Sequence, residues 1–324
     1  MDEQNIITVT QLMDESLLEK FLTFQNVRPR SVAAYRHNLR LFFNYLTAQR
    51  IVQPNREHVF AYRDALIAAG KKPATIRSYI IAVRLFFRWM ANEGLYGNIA
   101  ECVKVPGGDH VHRRDALTLC QVRAVLDNID RSTLKGLRNY AIVALMVIGG
   151  LRCVEVSRAR ARNFIQRGSH AVLYVHGKGR GDDGAEYVKL SHNLQRALQA
   201  YLDERGSVAQ DAPLFACTSN RNRNGPLSTR TISKIVKDAL QDAGCRGTRL
   251  CAHSLRHTAV TLALKGGETL EAVKEFARHT SINTTLVYSH AIDRARSTCT
   301  GTIEKKIFGG RAGPAETSKN LDPH

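Results

Sequence analysis

Apolar residues recur three and four positions apart through the first ninety-odd residues, the period of helices that bury one side. Leu17, Leu18, Phe21 and Leu22 form one short apolar face. A second helix is predicted from Ser31, a residue type suited to the N-cap, and buries Tyr35, Leu39, Phe42 and Leu46. A third follows Asn55, turns Val59, Tyr62 and Leu66 inward, and stops near Gly70. The fourth opens around Pro73, carries Ile76, Ile80, Val83, Phe87 and Met90, and ends before Gly94. Together they predict a small four-helix domain over residues 1–96.

The helical period is lost over residues 97–112, which contain P-G-G and read as a linker. A second domain is expected over 113–308, with a helix near 117–129 and an apolar one at 137–149. Alternation then replaces helical spacing. A-V-L-Y-V (171–175) and A-E-Y-V-K-L (185–190) predict two strands joined by the turn H-G-K-G-R-G-D-D-G. Helices resume at 192–204, 228–243, 254–266, 268–277 and 291–299, and a loose polar tail is expected over 309–324. The fold class is therefore mainly α with a small antiparallel β-sheet.

Charge sharpens this picture. The 324 residues carry 47 Lys and Arg against 29 Asp and Glu, a formal net charge of +18. That excess favours a polyanionic partner, of which nucleic acid is the usual one. Both predicted domains are basic, which suggests two lobes clamping one polyanion. From Lys71 to Met90 there are five basic residues (Lys71, Lys72, Arg77, Arg84, Arg88) and no acid. A run without counter-charge favours a phosphate-facing surface over an ordinary solvated one. Arg77, Ser78 and Arg84 on this helix, and Arg36 and Arg40 on the second, are the candidates for DNA contact.

Seven cysteines form an odd set with no C-x-x-C pair, and no apolar run approaches the ~18 residues of a membrane span. Reduced thiols, a cytoplasmic location and no membrane partner are expected.

The chemistry is carried by residues scattered along the second domain. Arg152 lies in G-G-L-R-C-V-E, Lys178 in H-G-K-G-R, His253 and Arg256 in H-S-L-R-H, and His279 and Tyr288 in A-R-H-T-S-I-N-T-T-L-V-Y. Each has an ordinary explanation alone: a helix-start ion pair, a turn lysine, a packed tyrosine. The two histidines of H-S-L-R-H have metal-pair spacing, but the Glu of a zinc hydrolase is not beside the first, so no metal is expected. As a set, they suit attack by a phenol on a phosphodiester. Arginines neutralise the phosphorane, a lysine protonates the leaving oxygen, and the tyrosine forms the covalent bond. Cations held near a phenol of ordinary pKa about 10 favour its ionised, nucleophilic form. A covalent intermediate conserves bond energy, consistent with a chain that has no G-x-x-x-x-G-K-[ST] loop, and no cofactor is expected.

In the order and spacing of these four boxes the chain resembles the tyrosine recombinase (phage integrase) family, over roughly residues 12–300. R-S-V-A-A-Y and L-F-F-N-Y-L also resemble its core-binding domain. The resemblance implies a helical, SAM-like core-binding domain followed by an α+β catalytic domain. It implies Tyr288 as the nucleophile of a 3′-phosphotyrosyl bond, and Arg152 and Arg256 as grips on the scissile phosphate. Lys178 would be the general acid for the 5′-oxygen, His253 and His279 would assist proton transfer, and Glu155 would brace the site. It further implies double-stranded DNA with inverted-repeat core sites as substrate. The protein would be a monomer or weak oligomer when free and a homotetramer on DNA, exchanging strands through a Holliday junction on the bacterial nucleoid. An integrase of a mobile element is slightly favoured over a Xer-type resolvase.

The chain departs from the family pattern at three places. Ala277-Arg278 replaces the common Leu-Gly, which either shifts the turn or adds a phosphate contact. Asp182-Asp183 stand where basic residues are frequent, and Ala252 precedes the first histidine. Two rivals stay open: a type IB topoisomerase-like enzyme, and a DNA-binding protein without catalysis.

Overall fold

The computed structural model describes residues 8–105, 115–176 and 186–288. The chain divides into two compact units, Met1–His110 and Val111–His324.

The first unit is a helical bundle of α1 (Val9–Leu12), α2 (Glu15–Phe24), α3 (Pro29–Ala48), α4 (Arg56–Ala68) and α5 (Pro73–Asn92). The short α1 was not expected from the sequence, because four residues carry too little periodicity to register. Asp14 caps α2 through the Leu17 N–H, and Asn55 caps α4 through the His58 N–H; such caps stabilise a helix by about 1 kcal/mol each. α3 begins earlier than its predicted start at Ser31: Pro29 occupies the first turn and Arg28 is the N-cap. Proline's fixed φ suits that position, and its missing N–H has no helical partner there anyway. The core is aromatic. Phe21, Phe42, Phe43, Phe86, Phe87 and Trp89 are buried, and Phe86 meets Phe21 and Phe43 edge-on at 5.3 and 5.5 Å.

In the second unit, α6 (Leu119–Asp127) and the apolar α7 (Leu134–Val147) precede the short α8 (Cys153–Arg158). An antiparallel sheet of β1 (Phe164–Arg167), β2 (His170–Val175) and β3 (Glu186–Lys189) follows, in that order. Leu173 pairs with Phe164 on one side and Val188 on the other. The sheet thus has a third strand, β1, beyond the two expected; its pattern of one half-buried and three exposed residues gave no alternation to read. α9 (His192–Arg205), α10 (Thr229–Asp242), α11 (Ala252–Lys265) and α12 (Leu270–Phe276) complete the unit, followed by helical residues 282–288. From Ala141 to Val147 every residue of α7 is buried; α9 and α11 pack against this helix, and it shares one apolar core with the sheet. Among the described residues no helix is long and apolar enough to cross a membrane.

Candidate active site

The site is built from the C-terminal end of α7, the start of α8, the middle of α11 and the segment after α12. Gly150 follows α7 with φ +64, and a β-carbon there would lie 3.0 Å from the Phe276 ring. Only glycine fits this turn without strain. Arg152 then caps α8, and Glu155 occupies its third position. This spacing lets one carboxylate serve two donors. The Arg152 N–H reaches Glu155 Oε2 at 2.8 Å, and Arg152 Nη1 reaches Oε1 at 2.7 Å. Glu155 has no solvent exposure, whereas the Arg152 side chain is 28% exposed.

Arg256 comes from α11 and is buried. Its Nη1 donates to the Gly150 carbonyl at 2.5 Å and its Nη2 to the Ala277 carbonyl. A buried guanidinium requires such acceptors, since an unpaired one costs several kcal/mol, on the order of 3–5. Burial first, then the charges of Arg152 and Arg278, push Arg256 down to about 9, against the weaker opposing effects of Glu155 and Tyr288. It stays protonated at neutral pH.

The turn after α12 places the remaining groups. Arg278 sits in the left-handed region at φ +52 and is buried. Its Nη2 lies 2.9 Å from Glu155 Oε2 and 3.0 Å from the Gly150 carbonyl, while Nη1 donates to the Phe276 carbonyl at 2.8 Å. The turn therefore keeps the left-handed backbone that glycine favours despite the arginine. The side chain faces inward, so it does not add the phosphate contact considered from the sequence. Burial pushes the Glu155 carboxyl up, but Arg278, then Arg152, outweigh it and hold the group below its ordinary value.

His279 Nδ1 is 2.9 Å from Thr285 Oγ1, a buried hydroxyl three residues before Tyr288 on the same helical stretch. The Tyr288 ring is buried against Val260, Val273 and Ala277. His279 stacks on it at 6.3 Å between centroids, and His257 meets it edge-on at 4.6 Å. Burial first, then the charges of Arg256, Arg152, Arg278 and His253, push His279 down to about 4. The ring is thus neutral at pH 7. His253 is exposed near the start of α11.

The structure accordingly brings Arg152, Glu155, Arg256, His279 and Tyr288 together, with His253 within their electrostatic reach. Lys178 lies outside the described residues. Thr285 and the inward role of Arg278 were not singled out from the sequence, and His257 figures there only as half of a metal pair. Thr285 was detectable: it precedes Tyr288 by three residues, so one helix presents both on the same side.

In the first unit, Lys71 and Lys72 are exposed at the start of α5, with Arg77 and Arg84 half-buried and Ser78 exposed farther along it. Asn38 of α3 donates to the Ser78 carbonyl and hydroxyl at 3.1 and 3.2 Å. Arg36 is paired with Glu15 and, at 2.5 Å, with Glu19, and Arg40 lies 3.1 Å from Glu15. Both arginines therefore join α3 to α2.

Comparison with known proteins gives this geometry a family. Residues 115–294 match the phage integrase family, and residues 15–94 match the phage integrase N-terminal SAM-like domain. Tyrosine recombinase XerC of Pelobacter propionicus is 31% identical over 280 residues, covering 84% of this chain and 88% of the relative. Among solved structures, XerH site-specific recombinase bound to palindromic difH substrate aligns with a TM-score of 0.70. It has 22% identity and covers 90% of this chain and 86% of that one. A lambda integrase tetramer bound to a Holliday junction aligns at 0.68, with 16% identity over 88% of this chain and 78% of that one. The chain belongs to the phage integrase family: it is a tyrosine recombinase, a DNA strand-transferring enzyme.

Proposed function

We propose that the protein is a site-specific DNA recombinase in which Tyr288 attacks a scissile phosphate of double-stranded DNA and becomes joined to its 3′ side. The observation that carries the reading is the convergence on one phenol of His279, stacked at 6.3 Å, and Arg256, whose charge interacts with that of Tyr288. Arg152 and Arg256 balance the charge of the phosphorane. Glu155 orients Arg152 and stays out of the chemistry. His279 is neutral, so it can accept a proton from the phenol or donate a hydrogen bond to a phosphate oxygen. Lys178 protonates the departing 5′-oxygen. Tyr288 and Arg256 are buried, so engaging a phosphate includes uncovering both.

Lys71, Lys72, Arg77, Ser78 and Arg84 face the DNA, and a duplex competes with Glu15 and Glu19 for Arg36 and Arg40. The substrate carries inverted-repeat core sites, and four protomers assemble on two of them, in a mobile-element integration or a Xer-type resolution. The segment after Tyr288, about 291–307, docks on a neighbouring subunit. An apolar groove of about 620 Å³, lined by Leu119, Val122, Ile148, Leu262, Ala263 and Phe276, is of suitable character to receive an amphipathic helix.

A plasmid carrying two copies of the DNA that flanks the gene provides the test. Deletion or inversion between the copies is the expected result. Relaxation of supercoils by monomers, without recombinant product, would instead assign a topoisomerase-like activity.

A further inference from the structure

Three guanidinium groups, those of Arg152, Arg256 and Arg278, gather around a single buried carboxylate, Glu155. With only the first two, Glu155 would cancel much of the positive field that a phosphate requires. Coulomb interactions at such short range are strong in a water-poor site. The third guanidinium changes this balance. Arg256 donates to backbone carbonyls, whereas Arg278 is committed to the carboxylate itself: its side chain is 4% exposed and its donors end on Glu155, Gly150 and Phe276. Its connections lead to the two other arginines. The Arg278 carbonyl accepts from Arg152 Nη2 at 3.1 Å, and the Gly150 carbonyl is shared between Arg278 Nη2 and Arg256 Nη1. The charge of Arg278 also acts on Arg256 and His279. All of this is held at φ +52, a region that residues with a β-carbon rarely adopt.

We propose that Arg278 is a positioning residue of the cleavage site. It offsets the charge of Glu155 and fixes the Gly150 carbonyl, so that Arg152 and Arg256 present their charge undiminished to the scissile phosphate. The proposal rests on the reading of Tyr288 as nucleophile.

The test is single-turnover cleavage of a nicked suicide duplex, with either an ordinary phosphodiester or an uncharged methylphosphonate at the cleaved position. Two neutral variants are compared with the unaltered chain: Arg278→Gly, which suits the backbone, and Arg278→Gln, which keeps the bulk. Both should bind DNA normally and cleave the diester about tenfold more slowly, less than the roughly 100-fold scale for losing a donor that touches the phosphate, because Arg278 acts through other groups. On the methylphosphonate the deficit should shrink to about threefold or less, because less negative charge then needs stabilising. Arg278→Lys should recover most of the diester rate. If one neutral variant fails to fold, as judged by thermal melting, the other supplies the comparison. Equal deficits on both substrates, or an unchanged diester rate, overturn the proposal. If the unaltered chain forms no adduct, or one that persists in Tyr288→Phe, the functional reading fails, which is a distinguishable result.

Discussion

His279 and Tyr288 stack with their ring planes 22° apart. The turn at Arg278 and the helical residues 282–288 bring them together, and Thr285 fixes the imidazole from its Nδ1 side. The tyrosine ring is thus part of a packed cluster as well as a reactive group, and substitution can separate these two roles.

Tyr288→Phe keeps the ring against Val260, Val273, Ala277 and His257 and removes only the hydroxyl. The variant should melt within about 3 °C of the parent, the shift expected for roughly 1 kcal/mol or less in a unit of this size. It should bind DNA normally in a gel-shift assay and form no covalent adduct.

Arg256 donates to two carbonyls from two ends of one planar group. A lysine cannot span both. Arg256→Lys should therefore lose at least about 100-fold in cleavage rate, the scale for losing one preorganised donor. It should also destabilise the second unit by about 1–3 kcal/mol, because a buried carbonyl loses its partner. Urea titration with single-turnover kinetics measures both. A rate within tenfold of the parent would contradict the assigned role.

His279 binds a proton less readily in the folded chain, at about 4, than at its ordinary value of 6.5. Acid therefore favours unfolding. Its contribution is fully present above about pH 6.5 and is lost as pH falls toward 4. Glu155, held below its ordinary carboxylate value of 4.5, adds a loss of the same sign at lower pH. The urea midpoint of the second unit should fall between pH 7 and 4.5, and His279→Gln should flatten that slope. An identical slope in the variant would rule out His279 as its source.

Lys178→Ala should cleave ordinary DNA slowly and recover on DNA with a 5′-bridging sulfur, since a thiolate leaves without a proton. Persistent slow cleavage of the sulfur substrate would mean that Lys178 is not the acid. Deletion of residues 291–324 should abolish recombination while sparing single-site binding. Recombination by the shortened chain would count against docking in trans.

Much of this was legible in the sequence because the information was local or periodic. The apolar spacing of Ile76, Ile80, Val83, Phe87 and Met90 announced α5, and Asn55 marked the start of α4. The chemical boxes gave the residue types that meet in space. What escaped was set by tertiary structure. Strand β1 has little alternation because most of it is exposed, and α8 is too short for a period. In the sequence Arg278 reads as a shifted turn or an added phosphate contact; only the carboxylate of Glu155 and the carbonyl of Gly150, brought from far along the chain, explain its burial. The pairing of Arg36 and Arg40 with Glu15 and Glu19 was equally invisible, since it depends on how α2 packs against α3.

The most direct measurement is digestion of the protein–DNA adduct trapped on a nicked suicide duplex, followed by mass spectrometry of the DNA-linked peptide. The account predicts one linkage, from the Tyr288 phenolic oxygen to a 3′-phosphate. A linkage at any other residue, a 5′-phosphate attachment, or no adduct on a duplex that the protein binds and footprints would contradict it.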